Sequence, residues 1–173
     1  DSLCVILVFY TIFGYNRCYK IIDFKRGRVE SGCELMMYDE KRTGGAGMVE
    51  KEEFYLNSTN GVNKLHVILW HPLEEIRAIV QISHGMCEYV DRYDRLATFL
   101  AQHGMMVIGN DHLGHGETAK DEEELGYFPK AKGSETVVDD LYKVTKSIRA
   151  RYPRIPYFLL GQSMGSFMAR IFL

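Results

Sequence analysis

The sequence is poor in cysteine, carries no excess of either charge and lacks a long apolar run, and each absence excludes a class of protein. Only 4 of the 173 residues are cysteine, and they form no CxxC pair. This argues against a disulfide-stapled fold and a structural zinc site and favours a reducing compartment, so we expect a cytoplasmic location. Lysine and arginine number 21 against 23 aspartate and glutamate. The basic stripe of a nucleic-acid-binding protein is therefore missing, and no nucleic-acid partner is expected.

The first 47 residues differ from the rest of the chain. Residues 3–15 form an apolar run of thirteen residues, which is shorter than the roughly 17–25 residues that a membrane-spanning helix needs. Basic residues follow this run, so one interpretation of residues 1–47 is the remnant of a membrane anchor or signal, which would make the protein membrane-associated. A buried segment is a second interpretation. We favour a third, an upstream translation artefact, because the glycine-rich residues 44–47 lead straight into Met48 and a strand pattern.

From Met48 onward, apolar strand patterns alternate with helical ones, in a composition that suits one globular domain, 46% hydrophobic and 25% charged. An Asn60-Gly61 turn joins the first two strands as an antiparallel hairpin. The later strands are near-continuous apolar runs, which are typical of a sheet covered on both faces. The expected strands are residues 51–57, 62–70, 76–83, 105–110 and 155–160.

Two helical patterns lie between these strands. The first spans residues 89–100 and is followed by Gly104 as a C-terminal cap. The second is expected to begin with Ser134 as its N-cap and to stop before Pro153. Strands that alternate with helices predict right-handed crossovers and a mostly parallel sheet, so the class is α/β and residues 48–173 form one domain.

The GxSxG pattern of Gly161, Ser163 and Gly165 carries the strongest chemical signal. Alone it is weak, because roughly one chain of this length in twenty would match by chance. Its position between an apolar strand and the helical residues 164–173 is the context that a nucleophile elbow requires. The glycines allow a tight, strained turn that exposes Ser163, and the Met164 N–H can then point at an oxyanion. The alternative is an ordinary glycine-rich turn with Ser163 as a helix cap.

A second signal follows the strand at residues 76–83. In this architecture the loop after that strand supplies the other oxyanion N–H, which predicts the Met86 amide as donor and Gly85 as the residue that allows close approach. His84 is an alternative candidate for the general base, although a histidine beside a strand end is more often a hydrogen-bonded structural group.

Together, residues 84–88 (HGMCE) with Arg92-Tyr93, residues 110–116 (NDHLGHG) and residues 161–166 (GQSMGS) resemble the monoacylglycerol lipase and lysophospholipase-like branch of the α/β-hydrolases, also labelled serine aminopeptidase-like. The resemblance covers residues 48–173, the first half of such a domain. It implies an α/β-hydrolase fold with a truncated, mostly parallel sheet, an antiparallel N-terminal hairpin and helices on both faces. It also implies Ser163 as nucleophile, the Met86 and Met164 amides as oxyanion hole, and carboxylic esters with lipid-like acyl chains as substrates. We expect no cofactor, and peripheral contact with a membrane is compatible with such a substrate. Gln162 departs from the family, which often has His there.

The acid and the base of α/β-hydrolases follow the nucleophile along the chain, but residues 164–173 contain no Asp, Glu or His. Because the chain begins with Asp1 and stops at Leu173 inside an apolar run, we expect a fragment that is itself inactive, from an active serine hydrolase parent. The strand at residues 155–160 is then expected to expose an unpaired edge. The alternatives are another α/β-hydrolase activity, such as peptidase or thioesterase, and a non-catalytic binding protein with a hydrolase-like fold.

Three weaker signals have structural explanations. Asp111, His112 and His115 could form a metal cluster, but the glycines between and after them disfavour a helix and no fourth ligand is evident, so no metal is expected. The acidic residues 121–124 are typical of a solvated surface. Cys87 is expected to serve packing rather than nucleophilic attack.

Overall fold

A computed structural model describes residues 3–10, 17–23, 28–34, 49–129 and 132–173. The bounds of the strands are β1 Leu3–Tyr10, β2 Arg17–Asp23, β3 Arg28–Glu34, β4 Glu50–Asn57, β5 Lys64–His71, β6 Ala78–Ser83, β7 Met105–Asn110 and β8 Tyr157–Gln162. The α-helices are α1 Asp94–Gln102, α2 Gly133–Arg151 and α3 Met164–Phe172. Short 3₁₀ turns lie at Val90–Tyr93, Gly116–Thr118 and Glu122–Glu124.

The strands form one mixed sheet in the order β3-β2-β1-β8-β6-β7-β5-β4. Its centre is parallel, since β6 lies between β7 and β8 and runs in the same direction as both. The predicted N-terminal hairpin is confirmed, because β4 and β5 pair antiparallel. Asn60 directs the turn: its side-chain oxygen accepts the backbone N–H groups of Val62 at 2.8 Å and Asn63 at 2.9 Å, an interaction that favours turns.

The prediction of an unpaired edge on β8 is wrong for the described residues. β1 pairs with β8 in parallel, with Leu3 opposite Tyr157 and Val8 opposite Gln162. The backbone N–H and C=O groups on this side of β8 therefore have a neighbouring strand, which removes the edge that would invite association. The interpretation of residues 1–47 as a leader stays a prediction, and its boundary at residues 44–48 lies outside the described residues.

Helices cover both faces of the sheet, as predicted. Alternation along β5 sends Leu65, Val67 and Leu69 to one face, where they pack in one cluster with Val144 and Ile148 of α2. The other face carries a second cluster, which joins Ile68 and Trp70 of β5 to Ala97 and Ala101 of α1. Each large apolar side chain buried in this way contributes roughly 1.5–3 kcal/mol to folding.

The helix ends show where local signals hold and where they fail. Gly104 follows α1 with a positive φ of 79°, which confirms its predicted role as a cap. The expected N-cap at Ser134 is wrong, because α2 already begins at Gly133 and its N-cap is Lys132, in left-handed conformation with φ 61°. Gly133 donates its N–H to the Pro129 carbonyl at 3.1 Å, so the preceding chain sets the start of the helix. None of the helices in the described ranges is both long and apolar enough to cross a bilayer.

Candidate active site

Ser163 occupies the turn between β8 and α3. Its backbone has φ 48° and ψ −117°, a region that residues with a side chain rarely adopt and that costs on the order of 1–3 kcal/mol. Such strain is typical of functional turns. The residue is exposed to solvent.

The two glycines of the GxSxG pattern are required by close contacts. A Cβ atom on Gly161 would lie 2.6 Å from the Gly165 carbonyl oxygen and 2.7 Å from the Ser166 Cα. A Cβ atom on Gly165 would overlap the carbonyl oxygen of Ser83 at the end of β6. The predicted steric reason for these glycines therefore agrees with the geometry.

Ser163 does not cap the helix with its side chain, although it stands at the N-cap position of α3. Instead, the Ser166 hydroxyl donates to the Ser163 carbonyl oxygen at 2.6 Å, and the Ser166 N–H donates to the same oxygen at 2.9 Å. The alternative interpretation of Ser163 as an ordinary helix cap is thus not supported. The Met164 N–H is the first of α3, so it has no partner within the helix.

The parallel register brings the second predicted element to the same edge. Ser83 lies opposite Gly161 in the β6–β8 pair, so the chain segments that follow both strands emerge side by side. These are the Gly85–Met86 loop and the Ser163 turn. Met86 is 64% exposed, and a Cβ on Gly85 would overlap the side-chain oxygen of Gln162.

His84 is part of a buried histidine cluster and not an available base. Its Nδ1–H donates to the Gly85 carbonyl at 2.8 Å, and its Nε2 accepts the His112 N–H at 2.9 Å. Burial lowers the pKa of His84 to about 4, and burial followed by repulsion from His84 lowers the pKa of His112. The rings of His84 and His112 are 4.1 Å apart, and His115 lies 5.3 Å from His84. His84 and His112 are therefore neutral at physiological pH, and both ring nitrogens of His84 are already engaged.

Asp111 turns away from the histidines that neighbour it in sequence. Its carboxylate accepts His66 Nδ1 at 2.9 Å, the Val90 N–H at 2.7 Å and the Glu117 N–H at 2.9 Å. Burial by itself would raise the pKa of Asp111, but these hydrogen bonds outweigh it and lower the pKa. The residues considered for a metal cluster thus belong to two separate networks. Nowhere in the described part of the chain do three or more metal-ligating side chains converge.

Two contacts of the site were missed by sequence reasoning. Glu88 accepts the Gly85 N–H at 3.0 Å and the Tyr93 hydroxyl at 2.8 Å. Glu88 and Tyr93 both lie in motifs that resemble the family. Their spacing along the chain, however, does not predict that they contact the Gly85–Met86 loop. Cys87, in the same loop, is exposed and adopts a positive φ of 58°; its expected packing role is not supported.

This sheet order and the sharp turn at Ser163 define an α/β-hydrolase fold. Residues 74–173 match the family described as serine aminopeptidase, S33, and the chain belongs to that family. A solved structure of a thermostable carboxyl esterase from Bacillus coagulans in complex with glycerol superposes with a TM-score of 0.65 and 34% sequence identity, over 70% of this chain and 39% of that one. The resemblance drawn from the motifs is confirmed.

Two curated relatives are similar in sequence. The monoglyceride lipase homolog of Monkeypox virus is 37% identical over 97 residues, which is 56% of this chain and 33% of that protein. The monoglyceride lipase of Rattus norvegicus is 35% identical over 96 residues, which is 56% of this chain and 30% of that protein. The chain therefore spans about a third of the length of these relatives.

Proposed function

We propose that Ser163 is the nucleophile of a carboxylic ester hydrolase that forms an acyl-enzyme. The observation that carries this proposal is an exposed serine at φ 48°, held between a parallel strand and a helix in a chain of the S33 family. In the proposed reaction the Ser163 Oγ attacks the ester carbonyl carbon as its proton passes to a base. The tetrahedral oxyanion accepts the N–H groups of Met86 and Met164, and the alcohol leaves with the proton. Water then hydrolyses the acyl-serine and releases the carboxylic acid.

Neither residues 164–173 nor His84 supplies the base of this reaction. Residues 164–173 include no Asp, Glu or His, and His84 has both ring nitrogens engaged. A serine hydroxyl without a base is a poor nucleophile, and loss of one triad member lowers turnover by roughly 10⁴-fold or more. We therefore propose that residues 1–173 alone are inactive, and that a longer chain with a downstream acid and base is active.

Labelling with a fluorophosphonate probe tests both parts of this proposal. The probe phosphonylates an activated serine and releases fluoride, so we expect Ser163 to be labelled in the longer chain and not in residues 1–173. Ser163→Ala serves as the blank, and Ser166→Ala as a control that removes a neighbouring hydroxyl. Strong labelling of Ser163 in residues 1–173 would contradict the first part, and an unlabelled longer chain would contradict the second.

The proposed substrates are monoacylglycerols or lysophospholipids, drawn from a membrane or micelle surface by peripheral contact. The name monoglyceride lipase, shared by relatives that match this chain, supports this class. A panel of monoacylglycerols, lysophospholipids, thioesters and aminoacyl amides separates it from the other activities of the fold. Preference for aminoacyl amides would replace the lipase proposal by a peptidase, in line with the description of the family. Binding without turnover of any compound would indicate a non-catalytic protein.

A further inference from the structure

The Gly85–Met86 loop is closed by the side chain of Glu88. The chain turns between Gly85 and Glu88 through Cys87, whose φ of 58° is unusual for a residue with a side chain. Such a conformation persists only where surrounding contacts hold it. Glu88 reaches back three residues and accepts the Gly85 N–H at 3.0 Å, and a hydrogen bond to a carboxylate is about twice as strong as one between neutral groups.

Tyr93 fixes the carboxylate that closes this loop. Its hydroxyl donates to the same Glu88 oxygen that accepts the Gly85 N–H, at 2.8 Å. Tyr93 belongs to the 3₁₀ turn that leads into α1, so the loop is attached to an element packed on the sheet. A hydrogen bond between elements restricts the Glu88 side chain to one geometry.

Gln162 connects this arrangement to the nucleophile turn. It directly precedes Ser163, its side-chain oxygen lies against Gly85, and the Tyr93 hydroxyl is 3.5 Å from that oxygen. The contact with Tyr93 is weak at this distance, but the packing against Gly85 is close because no Cβ intervenes. The two segments that would supply the oxyanion donors therefore touch through Gln162.

We propose that Glu88 and Tyr93 are positioning residues that hold the Met86 amide in place for the oxyanion. The proposal rests on the proposed esterase function of Ser163. Neither side chain needs to touch the substrate, because Glu88 acts through the Gly85 N–H and Tyr93 acts through Glu88. A displaced donor weakens stabilisation of the transition state more than binding of the ester, so the effect falls on kcat.

Steady-state kinetics of a longer chain with the proposed downstream acid and base tests this proposal. Removal of a complete oxyanion donor costs about 10²–10³-fold in kcat. For Glu88→Ala we therefore expect a loss on the order of 10²-fold with KM changed by less than about twofold, and for Tyr93→Phe a loss of about tenfold. Glu88→Gln keeps an oxygen that accepts the Gly85 N–H and should recover most of the activity. Tyr89→Phe is the matched control, since it removes an exposed hydroxyl from the same segment and should leave kcat unchanged.

Hydrogen exchange at the Gly85 amide separates this proposal from the esterase function itself. Glu88→Ala should accelerate exchange at Gly85 at least about tenfold while the amides of β6 keep their protection. Unchanged exchange at Gly85 would overturn the positioning role whatever the activity. Faster exchange with wild-type kcat, or equal loss of activity in Glu88→Gln and Glu88→Ala, would also overturn it. An inactive wild-type longer chain would instead refute the esterase function and, with it, the catalytic consequence of the loop.

Discussion

Two buried histidines, His66 on β5 and His84 after β6, belong to strands that are separated by β7, and their pKa values are shifted in opposite directions. His66 on β5 is 4% exposed, and His84 after β6 is fully buried. The hydrogen bond to Asp111 raises the pKa of His66 against the effect of burial. Burial lowers the pKa of His84 to about 4.

Burial lowers the pKa of both histidines, and a carboxylate partner reverses the direction of the shift only at His66. His66 faces the Asp111 carboxylate at 2.9 Å, which stabilises the imidazolium. His84 has a carbonyl on one nitrogen and the His112 N–H on the other. A second proton on His84 Nε2 would face the His112 N–H. These surroundings therefore favour the neutral ring of His84.

Removal of Asp111 should have the largest effect on stability. Asp111→Ala leaves His66 and two backbone N–H groups without their acceptor, and loss of one partner from a buried ion pair costs about 3–5 kcal/mol. Urea unfolding measures this loss, and NMR titration should show the pKa of His66 falling below its wild-type value. Asp91→Ala is the control: Asp91 pairs with Lys51 at 2.6 Å and its side chain is 48% exposed, so the cost should stay below about 1 kcal/mol. Similar losses in both variants would contradict the assigned role of Asp111.

Acidification should destabilise the protein through His84 and His112. The pKa of His84 in the folded protein, about 4, is below its ordinary value of 6.5. The unfolded chain therefore binds the proton first, and stability that is present above pH 6.5 is lost as the pH falls toward 4. This corresponds to roughly 3 kcal/mol for His84, and His112 acts in the same direction. Urea unfolding from pH 7.5 to 4.5 measures it, and His84→Gln should flatten the dependence. A wild-type free energy of unfolding that is constant over this range would argue against the lowered pKa values of His84 and His112.

Substitution of His66 should have the opposite pH dependence and a smaller effect. The pKa of His66 is raised above its ordinary value of 6.5, so its contribution is complete below pH 6.5 and is lost as the pH rises through the folded pKa. His66→Gln should therefore destabilise the protein by about 2 kcal/mol at pH 6 and by less at pH 9. The measurement is urea unfolding at the two pH values, and a larger loss at pH 9 would reverse the assignment.

Ser83→Ala should have the smallest effect on stability. The Ser83 hydroxyl is 3.1 Å from His112 Nε2, and the other ring nitrogen of His112 has no partner among the described residues. Loss of this contact should cost about 1 kcal/mol. Thermal unfolding measures the loss, and the NMR titration of His66 should not move. A shifted His66 titration would mean that the two environments are coupled.

Local sequence patterns predicted most strands of the fold and, in the site, the turn at Ser163. Alternation along β5 and the apolar β7 set their burial, and β7 has the predicted bounds Met105–Asn110. The GxSxG turn is also local, because the strain at Ser163 and the close approach of Gly161 to Gly165 arise within five residues. The start of α2 was missed because the Pro129 carbonyl, and not the Ser134 side chain, satisfies its first N–H.

The alternation of strands and helices, the β4–β5 hairpin and the exposed turn at Ser163 could be predicted from the sequence, because each depends on residues that are close along the chain. The direction of each histidine pKa shift depends on the tertiary structure, since His66 and Asp111 are separated by 45 positions. The tertiary structure also decided that Glu88 and Tyr93 close the Gly85–Met86 loop and that β1 covers the edge of β8. Hydrogen-bond partners and strand neighbours of this kind are chosen by packing in three dimensions, where spacing along the chain carries no distance information.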